Sequence, residues 1–318
     1  MCRVGYTCRV VYIRREARVL TAGRGDTKVW PRQALRGAVA GAGILIALGS
    51  SAGAARGAGA GTLRAAAPAV TPSRAAGTLG PLITIAQTWN NCGPASVAEV
   101  LSYWGVQRTQ GEVQAVLRAD GNARGMTPYG VPGYARGLGL SALLGVGGTT
   151  TLVKALISNG FPVIVSQWVS PTNHVGHYRP ITAYDDRQGV FVSSDPYLGA
   201  DHQITYSDFA GIWATRNQRF IVLYPPSRQA LLTAVLASAG WNKTRAYAHD
   251  LAVQRARRDG SGLSGRMSAL SMAWDEVALG HYAAARQDMA RAKQQSASPV
   301  AVAWVVQELT TAVVAARG

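Results

Sequence analysis

The chain has 318 residues and a formal net charge of +16, which by itself would favour an anionic partner. Residues 81–226, however, carry nine Lys and Arg against eight Asp and Glu, so the excess positive charge lies outside that segment. Because the sequence shows no basic-aromatic interleaving of the kind that suggests nucleic-acid binding, we predict that the chain does not bind nucleic acid.

The N-terminal part has the pattern of an export signal. An uncharged, mostly apolar run over residues 37–55 follows Arg36 and contains the small-residue sequence Ala52-Gly53-Ala54, which is typical of signal-peptidase sites. We therefore predict a basic region and a signal peptide or anchor over residues 1–54. The protein is expected to be secreted or extracytoplasmic, with an uncleaved membrane tether through residues 37–55 as the alternative. Residues 55–80, rich in Ala, Gly, Pro and Thr, predict a flexible linker.

Cys92 is the only cysteine after residue 8, and it stands at the start of a predicted amphipathic helix. Backbone N–H groups without partners and the positive end of the helix dipole favour a thiolate at such a position. Gly93-Pro94 suits the first turn of a helix and allows a close approach of the backbone. We interpret Cys92 as a nucleophile rather than a small buried core cysteine. The helix itself is predicted from apolar residues that share one face, namely Val97, Val100, Leu101 and Trp104.

The remaining elements of residues 81–226 alternate between helix and strand in an α+β order. A capping box at Thr109–Glu112 and the pair Thr127-Pro128 each predict the start of a helix. The stretch 145–148 is rich in glycine but lacks the Lys-Ser/Thr pair of a phosphate-binding loop, so we interpret it as a connection. Further helices are predicted over residues 149–157 and 207–213, and strands over residues 161–168 and 219–224.

His177 and Asp195 lie on a predicted hairpin. His177 opens a strand-like run that ends near Asp185, and a second strand over residues 189–194 leads into Asp195-Pro196. Since the turn falls near residues 185–189, antiparallel pairing brings His177 and Asp195 to the same end of the sheet. The proline keeps Asp195 extended. The hairpin therefore predicts an imidazole and a carboxylate within hydrogen-bonding reach.

After Pro225-Pro226 the chain changes to Ala-rich helix. The phrase from Leu279 to Ala292 resembles a helix junction of tetratricopeptide repeats, although only one repeat is recognisable and arrays need at least three. The alternative is an amphipathic helix pair that packs on the preceding domain. We predict an α-helical, tetratricopeptide-like region over residues 227–318 that forms a separable appendage and binds a protein partner or covers its neighbour.

Three motifs in order resemble the papain-like cysteine peptidases of the bacteriocin-processing, double-glycine-leader type, and most closely their stand-alone exported branch. They are the segment from Gln87 through Cys92 to Ser96, the segment 176–178 and Asp195-Pro196, and the likeness covers roughly residues 81–226. The resemblance implies an α+β, papain-like peptidase domain, with a helical part that carries the cysteine and an antiparallel sheet that carries His177 and Asp195.

The same resemblance implies a role for each matching residue. Cys92 would be the nucleophile, His177 the general base and acid, and Asp195 the residue that orients His177. Gln87 and the Cys92 backbone N–H would donate hydrogen bonds to the oxyanion. Arg179-Pro180 departs from the uninterrupted apolar strand of the family and predicts an edge or bulged strand.

The motifs predict an exported cysteine peptidase that takes a peptide or protein substrate and needs no cofactor or metal. Two alternatives use the same fold. One is a non-catalytic module that binds peptides or the cell wall, and the other is a cysteine amidase or acyltransferase that acts on cell-wall peptides. Intact Gln87, Cys92, His177 and Asp195 favour the peptidase, because a degenerate copy would be expected to have lost one of them.

Overall fold

The computed structural model describes residues 68–118, 125–257, 263–295 and 299–316. The predicted signal peptide or anchor over residues 1–54, and the first part of the predicted linker, lie outside these ranges. No helix within them is both long enough and apolar enough to cross a membrane.

The strands in the described ranges form one antiparallel sheet. Its order is β2-β7-β3-β4-β5-β6, and β1 pairs with the far end of β4. The strands are β1 (Ala76–Thr78), β2 (Ser141–Gly145), β3 (Val163–Trp168), β4 (Gly176–Asp185), β5 (Val190–Asp195), β6 (Gly199–Thr205) and β7 (Phe220–Tyr224).

The helices begin at side-chain caps in several places. Thr109 and Glu112 form the predicted capping box, and the Thr149 and Thr205 side chains each accept a hydrogen bond from the first turn of the helix that follows. The helices are α1 (Cys92–Tyr103), α2 (Gln110–Leu117), α3 (Val131–Gly137), α4 (Thr150–Ser158), α5 (Tyr206–Ala214), α6 (Gln229–Ser238), α7 (Lys243–Arg257), α8 (Leu263–Leu279), α9 (Tyr282–Gln294) and α10 (Pro299–Ala315), with 3₁₀ turns at Pro128–Gly130 and Pro226–Arg228.

The end of the predicted linker belongs to the sheet. Ala76 pairs with Asp185 across β1 and β4, and the Thr71 N–H donates to the Asn159 side chain over 2.8 Å. The sequence prediction of flexible linker through residue 80 therefore needs correction over this stretch. A three-residue strand is too short to show a period of two, so composition alone favoured a linker.

Strand β4, which carries His177, lies inside the sheet between β3 and β5. The expectation that Arg179-Pro180 makes it an edge strand is wrong, whereas the expected bulge is present. The register with β5 shifts between Ile181 and Ala183, directly after the proline. Because Pro180 has no N–H to donate, the irregularity lets a central strand hold a residue that would interrupt a regular ladder.

Two hydrophobic clusters cover opposite faces of the sheet. Helices α1, α2 and α3 pack on the face that includes Ile164 and Leu223, and α4, α5 and α6 pack on the face of Val163 and Val165. The alternation of neighbouring residues of β3 between the clusters is what a strand buried on both faces requires. The predicted α+β class, with an antiparallel sheet followed by a helical C-terminal region, is confirmed.

The C-terminal helices share the first of these clusters. Leu270, Met289 and Val305 are buried in the same cluster as Val97 and Leu101 of α1. The Trp304 ring lies so close to the turn before α3 that a Cβ atom on Gly130 would stand 2.6 Å from the indole nitrogen. The tail therefore completes the hydrophobic interior on this face. A boundary at residue 226 and a tetratricopeptide-like arrangement stay predictions of the sequence.

Candidate active site

Cys92 is the first residue of α1, and its side chain is only 8% exposed. The N–H groups of the first turn have no acceptor within the helix, so they are directed at whatever lies beyond the helix start. Next to it, a Cβ atom on residue 93 would lie 2.6 Å from the Met126 Cβ atom. Gly93 therefore allows the helix start to approach Met126 closely, as the Gly-Pro pair predicts.

The loop before Cys92 is fixed by side chains of α2 and of the residue that follows it. The Gln110 Oε1 atom accepts two hydrogen bonds, one from the Thr88 backbone N–H over 2.9 Å and one from Asn91 Nδ2 over 3.0 Å. Arg118 Nη1 donates to the Asn91 Oδ1 atom over 3.0 Å and to the Trp89 carbonyl over 3.2 Å. Gln110 and Arg118 could not be found from the sequence, because contacts between residues 19 to 29 positions apart leave no local pattern.

The hairpin of β4 and β5 brings His177 and Asp195 together. His177 Nε2 lies 2.9 Å from Asp195 Oδ1, and both side chains are buried. The same oxygen accepts the N–H groups of Tyr197 over 2.7 Å and Leu198 over 3.0 Å. Since Nε2 faces Asp195, Nδ1 is the ring nitrogen left for the hydrogen bond between His177 and the Cys92 thiol.

These contacts shift the pKa values of all three groups. Burial raises the pKa of the Cys92 thiol, but the hydrogen bond and charge of His177 outweigh it, and the net pKa is lowered. Burial lowers the pKa of His177, and hydrogen bonds to Asp195 and Cys92 reverse this to a net increase. Burial would also raise the pKa of Asp195, yet His177 and the Arg179 charge lower it to about 2. The directions favour a thiolate and imidazolium beside a carboxylate.

Arg179 stands on the opposite side of Asp195 from His177. Its Nε atom lies 3.1 Å from Asp195 Oδ2, close enough for an ion pair although the N–H is not aligned for a hydrogen bond. Its Nη2 atom donates to the Val169 carbonyl over 2.6 Å. Sequence analysis noted this arginine only as a departure from an apolar strand.

Gln87 lies on the segment that leads to the nucleophile. Its backbone N–H donates to the Pro196 carbonyl over 2.8 Å, which ties this segment to the turn after Asp195. Its side-chain Oε1 atom is buried and has no hydrogen-bond partner among the described residues. The backbone contact therefore places residue 87 next to the turn after Asp195.

Glu99 is a second buried acid near these groups and was not singled out from the sequence. It is fully buried on α1, seven residues after Cys92, and its Oε1 atom accepts the Ile85 N–H over 2.8 Å. Burial raises the pKa of Glu99 to about 8. Two turns of helix separate it from the nucleophile, a spacing that the sequence shows but that does not by itself indicate burial of a carboxyl group.

Of the other four histidines, His202 interacts electrostatically with Arg179, Asp195 and His177, and burial with the Arg179 charge lowers its pKa. His174 stacks on Trp168 with ring centroids 3.8 Å apart. Within residues 68–118, 125–257, 263–295 and 299–316, no group of three or more histidine, cysteine or acidic side chains is arranged to hold a metal ion.

Three exposed apolar side chains lie close in sequence to the candidate residues. Trp89, three residues before Cys92, is 83% exposed, and Val175, two residues before His177, is 62% exposed. Tyr197, two residues after Asp195, is 60% exposed, and its ring centroid lies 6.3 Å from that of His177. Exposed side chains of this kind offer apolar surface for a ligand.

The segment that carries the site matches a known protein family and is similar to solved structures. Residues 81–220 match the model of the Peptidase_C39 like family. No curated protein matches the chain. Among solved structures, the peptidase domain of Streptococcus ComA, a bi-functional ABC transporter involved in a quorum-sensing pathway, is similar at 20% identity and a TM-score of 0.37, covering 45% of this chain and 98% of that one.

Two further structures are similar. A double glycine motif protease from an AMS/PCAT transporter, in complex with the leader peptide, has 22% identity and a TM-score of 0.36, over 47% of this chain and 94% of that one. A C39-like peptidase from Bacillus anthracis has 16% identity and a TM-score of 0.38, over 46% and 96% of the two chains. The segment matched by the family model carries Gln87, Cys92, His177 and Asp195.

Proposed function

We propose that this protein is an exported cysteine peptidase that hydrolyses peptide bonds through Cys92, His177 and Asp195. The observation that carries the proposal is the buried chain of contacts from the Cys92 thiol to His177 and from His177 Nε2 to Asp195 Oδ1 at 2.9 Å. The match of residues 81–220 to the C39-like peptidases supports the same reaction.

In the proposed first half-reaction, the Cys92 thiolate attacks the carbonyl carbon of the scissile bond and forms a C–S bond. The electron pair of the carbonyl moves onto its oxygen. The His177 Nδ1–H then protonates the amine nitrogen as the C–N bond breaks, and an acyl-enzyme remains. Asp195 keeps the imidazole in the required tautomer and stabilises its positive charge.

In the second half-reaction, neutral His177 takes a proton from water, whose oxygen attacks the acyl carbon. The C–S bond breaks, the carboxylic acid leaves, and the released thiolate remains beside the imidazolium that holds the proton taken from water, which restores the starting pair. We assign the oxyanion to the Cys92 backbone N–H and to the Gln87 amide. Support for Gln87 comes from its backbone tether to Pro196, which holds it next to the turn after Asp195.

The substrate in this proposal is a peptide or protein segment with apolar side chains near the scissile bond. Support comes from the exposed Trp89, Val175 and Tyr197, each within three residues of Cys92, His177 or Asp195, which offer apolar contacts. A solved relative binds a leader peptide, which is consistent with a peptide ligand here.

Export is proposed from the sequence of residues 1–54, with residues 37–55 as the membrane tether if the signal is not cleaved. Fractionation of cells with an antibody to the C-terminal helices would separate the cases. Recovery of the chain from the medium supports a cleaved signal, and recovery from membranes supports the tether. Recovery from the cytoplasm alone would contradict export. A protein partner of the C-terminal helices stays a prediction.

A peptide-library digest of the purified full-length protein tests the proposed reaction. We expect cleavage products whose new ends define the specificity, and the Cys92→Ala variant should yield none. Substitution of Cys2 and Cys8 by serine should leave cleavage unchanged, because neither belongs to the proposed site. A wild-type protein that alkylates readily at Cys92 but cleaves no peptide would favour the amidase, acyltransferase or binding alternatives instead.

A further inference from the structure

Arg179 is fully buried in the middle of the central strand β4. Burial of a guanidinium costs several kcal/mol unless a partner compensates for the lost water. Its charged partner is Asp195, with Nε 3.1 Å from Oδ2, and Nη2 is held by the Val169 carbonyl. Because burial of this charged side chain lowers stability, we expect a role in the site rather than in packing of the strand.

The two oxygens of Asp195 serve different partners. Oδ1 faces His177 Nε2 and the backbone N–H groups of Tyr197 and Leu198, whereas Oδ2 faces Arg179. Rotation of the carboxylate about its Cβ–Cγ bond would break contacts on both sides at once. Arg179, itself anchored at Val169, therefore opposes the rotation that would turn Oδ1 away from His177.

We propose that Arg179 is a positioning residue for the peptidase reaction, one that holds the Asp195 carboxylate towards His177 and balances its buried negative charge. This inference rests on the proposed function. Arg179 acts through Asp195 and does not touch the substrate, so its contribution should disappear when Asp195 no longer carries a charge.

Several titratable groups surround this pair. Cys92 and Glu99 approach from α1, His177 lies on β4 itself, and His202 approaches from β6. Loss of the Arg179 charge leaves the negative charge of Asp195 less balanced, which favours the protonated form of nearby groups. We therefore expect proton loss from both Cys92 and His177 to need a higher pH in its absence.

The test measures the rate of Cys92 alkylation by iodoacetamide and the rate of peptide cleavage, each against pH, in the full-length protein. In Arg179→Met we expect cleavage to fall about 10- to 100-fold in kcat with little change in KM, since the substrate contacts are intact. In the profile of cleavage rate against pH, the rise that reports proton loss from Cys92 and the fall that reports proton loss from His177 should both move up by about one pH unit. We call these the two limbs of the profile. Arg179→Lys keeps the charge, so its limbs should stay near those of the wild type even where its rate is lower.

A double variant separates positioning from folding. In an Asp195→Asn background, adding Arg179→Met should cost less than twofold in kcat, because the carboxylate that Arg179 serves is gone. A full 10- to 100-fold loss in that background, or unmoved limbs in Arg179→Met, would overturn the proposal. Circular dichroism checks that each variant is folded. A wild-type thiol that alkylates slowly below neutral pH would instead contradict the peptidase itself, whatever Arg179 does.

Discussion

Two arginines of the sheet region form ion pairs with buried aspartates, and they lie in different parts of the molecule. Arg179 of β4 faces Asp195 across 3.1 Å beside the thiol. Arg219, just before β7, faces Asp250 of α7 across 3.4 Å, where the C-terminal helices meet the sheet. The groups around each pair differ: the first adjoins a cysteine and a histidine, and the second adjoins Asp275.

The surroundings of Arg219 connect two parts of the chain. Asn217 Nδ2 donates to Asp250 Oδ1 over 2.5 Å, and Arg219 Nη2 lies 3.1 Å from the Ser271 hydroxyl of α8. Burial and the nearby Asp250 raise the pKa of Asp275. The same type of ion pair, an arginine against an aspartate, therefore serves two purposes. Beside the thiol it adjusts a reactive group, and at the tail it fixes where the helices dock.

The largest effect is expected on the catalytic side of this comparison. Asp195→Asn should lower kcat about 10³- to 10⁴-fold, because His177 loses the acceptor that fixes its tautomer, and His177→Ala should cost more. Steady-state cleavage of a peptide from the library digest measures both. Asp201→Asn, an exposed acid on β6, is the matched control and should cleave at the wild-type rate. Full activity in Asp195→Asn would mean that another group orients the histidine.

On the tail side, Arg219→Met should lower the free energy of unfolding by about 3–5 kcal/mol, since Asp250 loses its buried partner. Urea denaturation followed by circular dichroism measures this. Adding Asp250→Asn should recover part of the loss, because no uncompensated charge is then buried. In the folded fraction, the pH limbs of Cys92 alkylation should not move. If the pH dependence of Cys92 alkylation shifted in Arg219→Met as it does in Arg179→Met, the two arginines would not have different roles.

Glu99 is a buried acid near the thiol that, unlike Asp195, forms no ion pair with a basic side chain among the described residues. Its pKa rises on folding to about 8, so folding stabilises its protonated form. That stability is present below the pKa of the unfolded chain and is lost as pH rises towards 8. Glu99→Gln should match the wild type near pH 5 and exceed its free energy of unfolding by about 2–4 kcal/mol above pH 8.

Urea denaturation at the two pH values measures this difference for Glu99. The glutamine retains an oxygen that can accept the Ile85 N–H, so the local structure should persist. Parallel stability curves for the two proteins across this range would contradict a carboxyl group that stays protonated in the folded state.

The smallest effect is expected at an exposed helix cap, which serves as a reference for the losses expected at the buried ion pairs. Thr109→Ala removes the hydroxyl that accepts the Glu112 N–H in the capping box of α2, a loss of about 1 kcal/mol in the free energy of unfolding. The other half of the box, the bond from the Thr109 backbone N–H to the Glu112 carboxylate, is retained. Thr109→Ser, which keeps the hydroxyl, should remain within a few tenths of a kcal/mol of the wild type. A loss of several kcal/mol would mean that the cap also supports the loop held by Gln110.

Local signals allowed the fold and part of the candidate site to be predicted. The helix of Cys92 follows from apolar spacing, and the approach of His177 to Asp195 follows from the turn between two strands. Arg179, Glu99 and Gln110 could not be predicted as neighbours of the site, because their contacts come from the packing of separate elements. Strand β6 was missed because it lies at the sheet edge and carries mostly exposed polar residues. The short β1 was missed because three residues show no period.

The pairing of Cys92 with His177 is tested by the pH dependence of Cys92 alkylation in the wild type and in His177→Ala. We expect rapid alkylation of the wild type below neutral pH, since the thiol is a thiolate paired with imidazolium there. In His177→Ala the rate should fall, and the thiol should titrate at or above the pH of an ordinary thiol, about 8.5, because burial raises its pKa once His177 no longer offsets it. Identical profiles for the two proteins would contradict the pairing of Cys92 with His177.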